Sequence, residues 1–290
     1  MKKVAFIINP NSGSGKGLTV GKKLSKELEG TGIQYTLNHT EGKGHATTLT
    51  KSLLETGVDL VVACGGDGTV NETANALTGT NIPMAILPIG SGNGLARHYG
   101  IKYDLKQLSS VIHSNKIIRH DAVSINGLIG FNVSGIGFDA HVAFLFGKDG
   151  KRGFNSYLKL IVKEFYNYQP FETEITYGNT KVALNAMMIP IAVASQFGNS
   201  AFIAPLADTM DGMTDITVVR KMHPFQVLPF AIRVFTKAIG GSGYAKCLRE
   251  KTFEIRCKQP QPLHVDGEPS GYHDHFKIET MPAAISLAIP

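Results

Sequence analysis

Cysteine is scarce in this chain: three residues in 290, Cys64, Cys247 and Cys257, are too few and too scattered for a disulfide framework or a zinc site. An intracellular, reducing setting fits that usage best. Long apolar runs are also missing. The longest, Ala186 to Ala194, contains Pro190 and is far too short to span a bilayer. Near the start, Asn9-Pro10 ends the run Val4 to Ile8 before a signal-peptide core could form. The expectation is a soluble, cytoplasmic protein whose membrane contact is peripheral, at the inner face. Charged residues, at 18%, fall below the usual quarter, and the net charge of +6 is not gathered into a basic tail. Nucleic acid is therefore not an expected partner, whereas a membrane surface or a phosphorylated ligand suits the positive balance. The densest basic spot is Lys148, Lys151 and Arg152, in a glycine-containing loop.

What is present is an apolar content of 43%, enough for a substantial core, and two textures of chain. Up to residue 120, strand-like runs alternate with helical ones. Val4–Ile8, Ile33–Leu37, Val58–Ala63 and Met84–Leu87 read as strands. Leu18–Leu28, Ala46–Leu54, Val70–Leu77 and Leu95–Tyr99 read as helices. Such alternation predicts a parallel sheet covered on both faces, with ligands bound beyond the carboxyl ends of its strands. After His120, Ala122–Ile125 and Leu128–Val133 flank Asn126-Gly127, a type I′ hairpin signal, and Gly178-Asn179 looks like a second tight turn. Short strands follow at Glu172–Tyr177, Val182–Ala194, Asp215–Arg220, Thr252–Cys257, Leu263–Val265 and Phe276–Glu279, with helices at Ser156–Tyr168 and Pro224–Ile239. The expected fold is therefore an N-terminal parallel α/β domain, residues 1–120, followed by a C-terminal antiparallel β-sandwich domain, residues 121–282. The last strand, within 283–290, is expected to return to the first domain.

Several motifs resolve into ordinary structure. Asn9 to Gly17 resembles a P-loop, but Pro10 stands where the first glycine belongs and Gly17 where the Ser or Thr belongs. Gly135-Ile136-Gly137-Phe138-Asp139-Ala140 matches a loose dinucleotide fingerprint, yet it lies in the antiparallel half, where two close-packed glycines at a strand end explain it better. His273-Asp274-His275 puts two imidazoles on one face of a strand without an evident third ligand, which favours a solvated edge over a metal. Phe225, Phe230 and Phe235 read as a core-facing helical stripe.

The stretch "VVACGGDGTVNE", residues 61–72, poses a sharper question. Gly65, Gly66 and Gly68 are material for a phosphate-wrapping loop, yet Asp67 among them should repel a phosphate. Ile89-Gly90-Ser91-Gly92-Asn93 follows the next strand in the same way. With the Asn9–Gly17 loop, these bring many backbone N–H donors to one sheet edge, where a triphosphate with its Mg2+ would fit. Asp67 tolerates that neighbour if a divalent ion lies between them, or if it holds the loop through its own hydrogen bonds. Both options stay open, beside the plain reading of Asp67 as a loop-stiffening residue.

Taken together, "NPNSGSG" at 9–15, "GGDGTVNE" at 65–72, "LPIGSGNGLAR" at 87–97 and "VDGE" at 265–268 resemble the diacylglycerol kinase catalytic family, which includes bacterial soluble lipid kinases and sphingosine and ceramide kinases. The likeness runs nearly the whole length, in the family's order and spacing. It implies an NAD-kinase/phosphofructokinase-like first domain, a β-sandwich second domain, ATP bound in the cleft between them, and transfer of the γ-phosphoryl group to a lipid hydroxyl at the membrane surface. By the same resemblance, Asn9, Thr40, Gly65, Gly66, Asp67, Gly68, Thr69 and Ser91 match nucleotide-contacting positions. Glu268 of the Asp266-Gly267-Glu268 turn matches the proposed catalytic base; in some relatives the aspartate equivalent to Asp67 has that role. Asp208-Thr209-Met210-Asp211-Gly212-Met213 resembles a structural magnesium loop, with the Asp211 carboxylate and the carbonyls of Asp208 and Met213 as ligands. Ser91 stands where many bacterial members carry threonine, and "GSGNGLA" leans toward the sphingoid-base branch, so the acceptor stays open between a diacylglycerol-like and a sphingoid lipid. Two rivals remain: an NAD kinase, which shares GGDGT, and a non-catalytic nucleotide- or lipid-binding regulator. The oligomeric state is open, a homodimer included.

Overall fold

A computed structural model describes residues 2–13, 15–114, 116–148, 154–240 and 243–290. Ser14 of the first glycine loop, and Lys151 and Arg152 of the basic spot, lie outside the described residues. The chain divides into two compact units, Met1–His120 with Ala283–Pro290, and Asp121–Pro282.

The first unit runs β1 (Lys3–Ile8), α1 (Lys16–Leu28), β2 (Gln34–His39), α2 (His45–Leu54), β3 (Leu60–Gly65), α3 (Asp67–Leu77), β4 (Met84–Pro88), α4 (Gly94–His98) and α5 (Leu105–His113). All four strands are parallel, in the order β4-β3-β1-β2, and Leu287 near the end of the chain pairs with Met84 alongside β4. β3 is buried at every position and β1 at all but its first, because helices cover both faces of a parallel sheet. Val20, Leu24 and Leu28 of α1 and Leu108, Val111 and Ile112 of α5 pack into the same core as Phe6, Val62 and Leu87. The register places Ile8 beside His39 and Cys64, and Gly65 beside Pro88. The loops after all four strands therefore leave from one edge of the sheet. Burial in β3 also pushes the Cys64 thiol far above its ordinary pKa, which leaves it a small core residue. Helix α5, beyond the four expected helices of this unit, has a marked start: the Asp104 carboxylate accepts the N–H groups of Lys106 and Gln107.

The second unit contains most of β5 (Ile117–Ile125), then β6 (Leu128–Gly130), β7 (Val133–Gly137), α6 (Phe138–Lys148), α7 (Phe154–Phe165), β8 (Phe171–Tyr177), β9 (Thr180–Ala186), β10 (Met188–Ala192), β11 (Thr214–Val219), α8 (Pro224–Phe235), β12 (Ala245–Glu250), β13 (Thr252–Val265) and the first part of β14 (Glu268–Ala288). Its strands pair antiparallel in the order β12-β11-β10-β7-β13-β14, with β8 and β9 added on β13. Both expected hairpins form: Asn126 and Gly127 adopt φ of 52° and 86° between β5 and β6, and Tyr177 faces Thr180 across Gly178-Asn179. Ile136, Ile175, Ile189, Ile216, Phe253, Leu263 and Phe276 share one core.

Three expectations need correction. Gly137 ends a strand but leads into α6, a helix not anticipated; the strand before it pairs only antiparallel, so no dinucleotide unit results. β13 and β14 are each one long strand where two were expected, because bulges between Arg256 and Gln261 and between Pro262 and His264 absorb the proline-containing interruption in β13. Phe225, Phe230 and Phe235 do not form one stripe, since residues five apart on a helix point about 140° apart. Phe230 packs inward while Phe225 and Phe235 are exposed. The two imidazoles of the His273-Asp274-His275 stretch take separate partners, the Ser270 carbonyl and the Glu254 carboxylate. Among the described residues no group of three or more His, Cys, Asp or Glu side chains is arranged to hold a metal, and no helix is long and apolar enough to cross a membrane.

Candidate active site

In the first unit the glycine loops meet. The Asn9 side-chain amide donates to the Thr69 hydroxyl (3.2 Å), its carbonyl accepts the Asn11 N–H (2.9 Å), and its backbone N–H reaches the Cys64 carbonyl (3.0 Å). A Cβ at Gly13 would lie 2.4 Å from the Ile89 carbonyl oxygen, and one at Gly90 would lie 2.6 Å from the Cα of Gly66. Only glycine allows the three loops to pack backbone against backbone. Thr69 is buried, Thr40 is buried just past β2 with its N–H on the Ile8 carbonyl (2.8 Å), and Ser91 lies exposed between β4 and α4.

Asp67 is the first residue of α3, and its carboxylate accepts the Asn93 N–H on Oδ2 (2.8 Å) and the Gly94 N–H on Oδ1 (2.7 Å). Those amides open α4, which has no side-chain cap of its own. Glu72, five residues on, does the same for α2: its two carboxylate oxygens accept the N–H groups of Gly44 (2.7 Å) and Ala46 (3.1 Å). Both acids of α3 thus bind the positive ends of neighbouring helices. The N-terminus of α3 itself begins at Gly66 with no side-chain cap. An uncapped helix N-terminus beside close-packed glycine loops is suited to an anion. Of the two ways in which Asp67 could tolerate a phosphate, its observed bonds realise the loop-holding one. Glu72 was not anticipated as a capping residue, and only its position in the first turns of a helix hinted at it.

In the second unit Glu268 is exposed and follows a two-residue turn in which Asp266 and Gly267 have φ of 49° and 88°. Val265 faces Glu268 across this type I′ hairpin. Asp266 is fastened on both sides: its carboxylate accepts the N–H groups of Phe131 (2.8 Å) and Asn132 (3.0 Å), and its own N–H donates to the Ser134 hydroxyl (3.3 Å). The Gly267 N–H donates to Nδ1 of buried His264 (3.0 Å). A backbone N–H can only donate, so Nδ1 is the acceptor and the ring proton sits on Nε2, 3.4 Å from Oδ2 of buried Asp139. Asp139 explains the glycine at 135, where a Cβ would come within 1.9 Å of its carboxylate. The chain Asp139–His264–Gly267 thus fixes the turn that presents Glu268. Replacing His264 with alanine removes the acceptor of the Gly267 N–H and the Oδ2 partner of Asp139, whose Oδ1 keeps the Ala140 N–H (2.9 Å), and should cost roughly 2 kcal/mol of stability. Urea unfolding would show this as a lower midpoint; an unchanged midpoint would mean that the chain carries no load.

The loop of Asp208, Asp211 and Met213 is tied differently. Asp208 accepts the Met210 N–H (3.0 Å), and Asp211 accepts the Met213 N–H on Oδ1 (3.0 Å). The other Asp211 oxygen meets the Arg249 guanidinium at 2.7 Å; Arg249 also approaches Asp215 (3.4 Å) and donates to the Leu206 carbonyl (3.0 Å). Burial raises the pKa of Asp215, and the guanidinium opposes that shift. As arranged, one Asp211 carboxylate oxygen is met by the Met213 N–H and the other by the arginine.

Two family profiles match the chain: the diacylglycerol kinase catalytic domain over residues 3–125, and the YegS C-terminal NAD kinase β-sandwich-like domain over residues 132–289. A diacylglycerol kinase of Bacillus subtilis is 28% identical over 285 residues, covering 93% of this chain and 91% of its own. A Chromohalobacter salexigens protein named "Probable lipid kinase YegS-like" is 26% identical over 253 residues, covering 85% of this chain and 81% of its own. The crystal structure of a diacylglycerol kinase from Bacillus anthracis superposes with a TM-score of 0.77 at 21% identity, covering 100% of this chain and 97% of that one, which speaks to the fold. The chain belongs to the diacylglycerol kinase catalytic-domain family, whose C-terminal part here is the YegS-type NAD kinase β-sandwich-like domain.

Proposed function

We propose that this protein is an ATP- and magnesium-dependent lipid kinase, moving the γ-phosphoryl group to the hydroxyl of a diacylglycerol-like or sphingoid lipid at a membrane surface. The observation that carries this reading is the packing of the Asn9, Gly65–Thr69 and Gly90–Asn93 loops at the uncapped start of α3, with Asp67 holding the third loop in place. In this reading the loop amides and the helix terminus bind the phosphates, with Thr40 and Ser91 contributing hydroxyls. Magnesium, bound with the nucleotide, supplies charge neutralisation. Glu268 accepts the proton of the acceptor hydroxyl as its oxygen bonds to the γ-phosphorus and the bond to the β-phosphate oxygen breaks, releasing ADP. In this reading Asp67 fixes the phosphate loop and Glu268 is the base; the bonds of Asp67 to the Asn93 and Gly94 amides support that division of roles.

The test is incubation of the purified chain with labelled ATP, magnesium and a panel of diacylglycerols and sphingoid bases, with mass-spectrometric identification of the product. Phosphorylated lipid is the expected result. Phosphorylation of NAD in place of lipid would assign the chain to the rival suggested by the name of its second domain, and normal ATP binding with no transfer at all would point to a regulator.

A further inference from the structure

Helix α8 has two apolar faces, and the second unit uses only one of them. Val227, Phe230 and Val234 pack inward against Ile203, Val219, Met222 and Ile239. On the opposite side Phe225, Leu228, Ile232 and Phe235 are 75%, 69%, 54% and 47% exposed. At 100° per residue these four fall within an arc of about 80°, a continuous outward stripe. Tyr166, exposed at the end of α7, lines a surface cavity together with Lys221 and His223 at the entry to α8, so the apolar surface extends beyond the helix.

The segment that carries this stripe has charge of one sign. From Ile216 to Arg249 the chain has no aspartate or glutamate and six basic residues, Arg220, Lys221, Arg233, Lys237, Lys246 and Arg249, of which Arg249 is paired with Asp211 and Asp215. Those nearest the stripe are held by neutral groups: Lys221 by the Tyr168 carbonyl and the Gln169 side chain, Arg233 by the Ala238 carbonyl, and Lys237 over the Phe202 ring. Their charge is therefore not cancelled within these contacts. An exposed Phe/Leu/Ile stripe flanked by cations and free of acids is the pattern of a helix that lies in a lipid–water interface.

We propose that α8 docks this protein on an anionic bilayer, with Phe225, Leu228, Ile232 and Phe235 entering the boundary between headgroups and acyl chains and with Lys221, Arg233 and Lys237 meeting the headgroups. The proposal deepens the lipid-kinase reading and rests on it for the presence of a bilayer. It is tested without catalysis, by co-sedimentation of the full chain with vesicles of phosphatidylcholine alone and with roughly a third phosphatidylglycerol, in the absence of nucleotide. The chain should bind the anionic vesicles, more weakly as salt is raised. Leu228→Glu with Ile232→Glu should cut that binding by about thirtyfold, and Phe225→Ala with Phe235→Ala, which adds no charge, should weaken it too. Melting temperature and phosphorylation of a detergent-dispersed short-chain diacylglycerol should stay unchanged in both variants. Vesicle binding that both variants retain, or a wild-type chain that ignores anionic vesicles, overturns the proposal. So does light scattering showing a wild-type dimer that the variants dissociate, which would assign the stripe to a second copy. Variant-sensitive vesicle binding with no phosphoryl transfer would defeat the kinase reading and leave the docking surface standing.

Discussion

Glu268→Gln is expected to lower lipid phosphorylation by roughly three orders of magnitude, the usual contribution of a positioned general base, while ATP affinity and stability stay close to wild type. The substitution keeps the shape of the side chain while removing its negative charge and its ability to take a proton. It should not disturb the turn, because the bonds that hold it belong to other residues: Asp266 on the Phe131 and Asn132 amides and on Ser134, and Gly267 on His264. The loss should therefore fall on kcat, with KM for ATP little changed. Retention of wild-type kcat would remove Glu268 from the chemistry and return the role of base to Asp67.

Asp67→Asn is expected to act on binding and stability together. The carboxylate meets two backbone donors, at Asn93 and Gly94, with one oxygen each. An asparagine offers one acceptor oxygen and turns its NH2 group onto the other N–H, so a donor faces a donor. Losing one charge-assisted hydrogen bond and opposing the second should cost about 2 kcal/mol, measured as a lower urea midpoint of the nucleotide-free protein. With the Gly90–Gly94 segment loosened, ATP affinity and lipid phosphorylation should both fall, phosphorylation by roughly a hundredfold. If the carboxylate serves only to hold a cation, the nucleotide-free protein should instead be no less stable, and excess magnesium should recover much of the activity. That outcome would set aside the loop-holding role.

The parts of this molecule that were readable in its sequence are those governed by local pattern. β1, β3 and β4 are continuous apolar runs because both faces of a parallel sheet are covered, and the Asn126-Gly127 and Gly178-Asn179 turns announce themselves through the left-handed conformations they need. The convergence of the glycine loops follows from strand–helix alternation alone. α6 was hidden because Phe138-Asp139-Ala140 completes a glycine-rich string that invites another explanation. The long β13 and β14 were hidden because prolines suggest a break, whereas bulges let a strand continue past them. The candidate site is legible as a list of residues but not as a set of bonds. Asp67 binds amides 26 and 27 positions away, Asp266 reaches back to residues 131 and 132, and the pairing of His264 with Asp139 spans 125 positions. No spacing rule foretells contacts of that range, and they decide whether an acid is a base, a metal ligand or a clamp.

The central claim is that the nucleotide's phosphates rest on the three glycine loops of the first unit. Hydrogen exchange of the full chain, followed by mass spectrometry with and without a non-hydrolysable ATP analogue and magnesium, tests it directly. Slowed exchange in the peptides covering residues 9–17, 65–72 and 87–97, reduced in Asp67→Asn, is the expected result. Protection that appears elsewhere while these three segments exchange as before would contradict it.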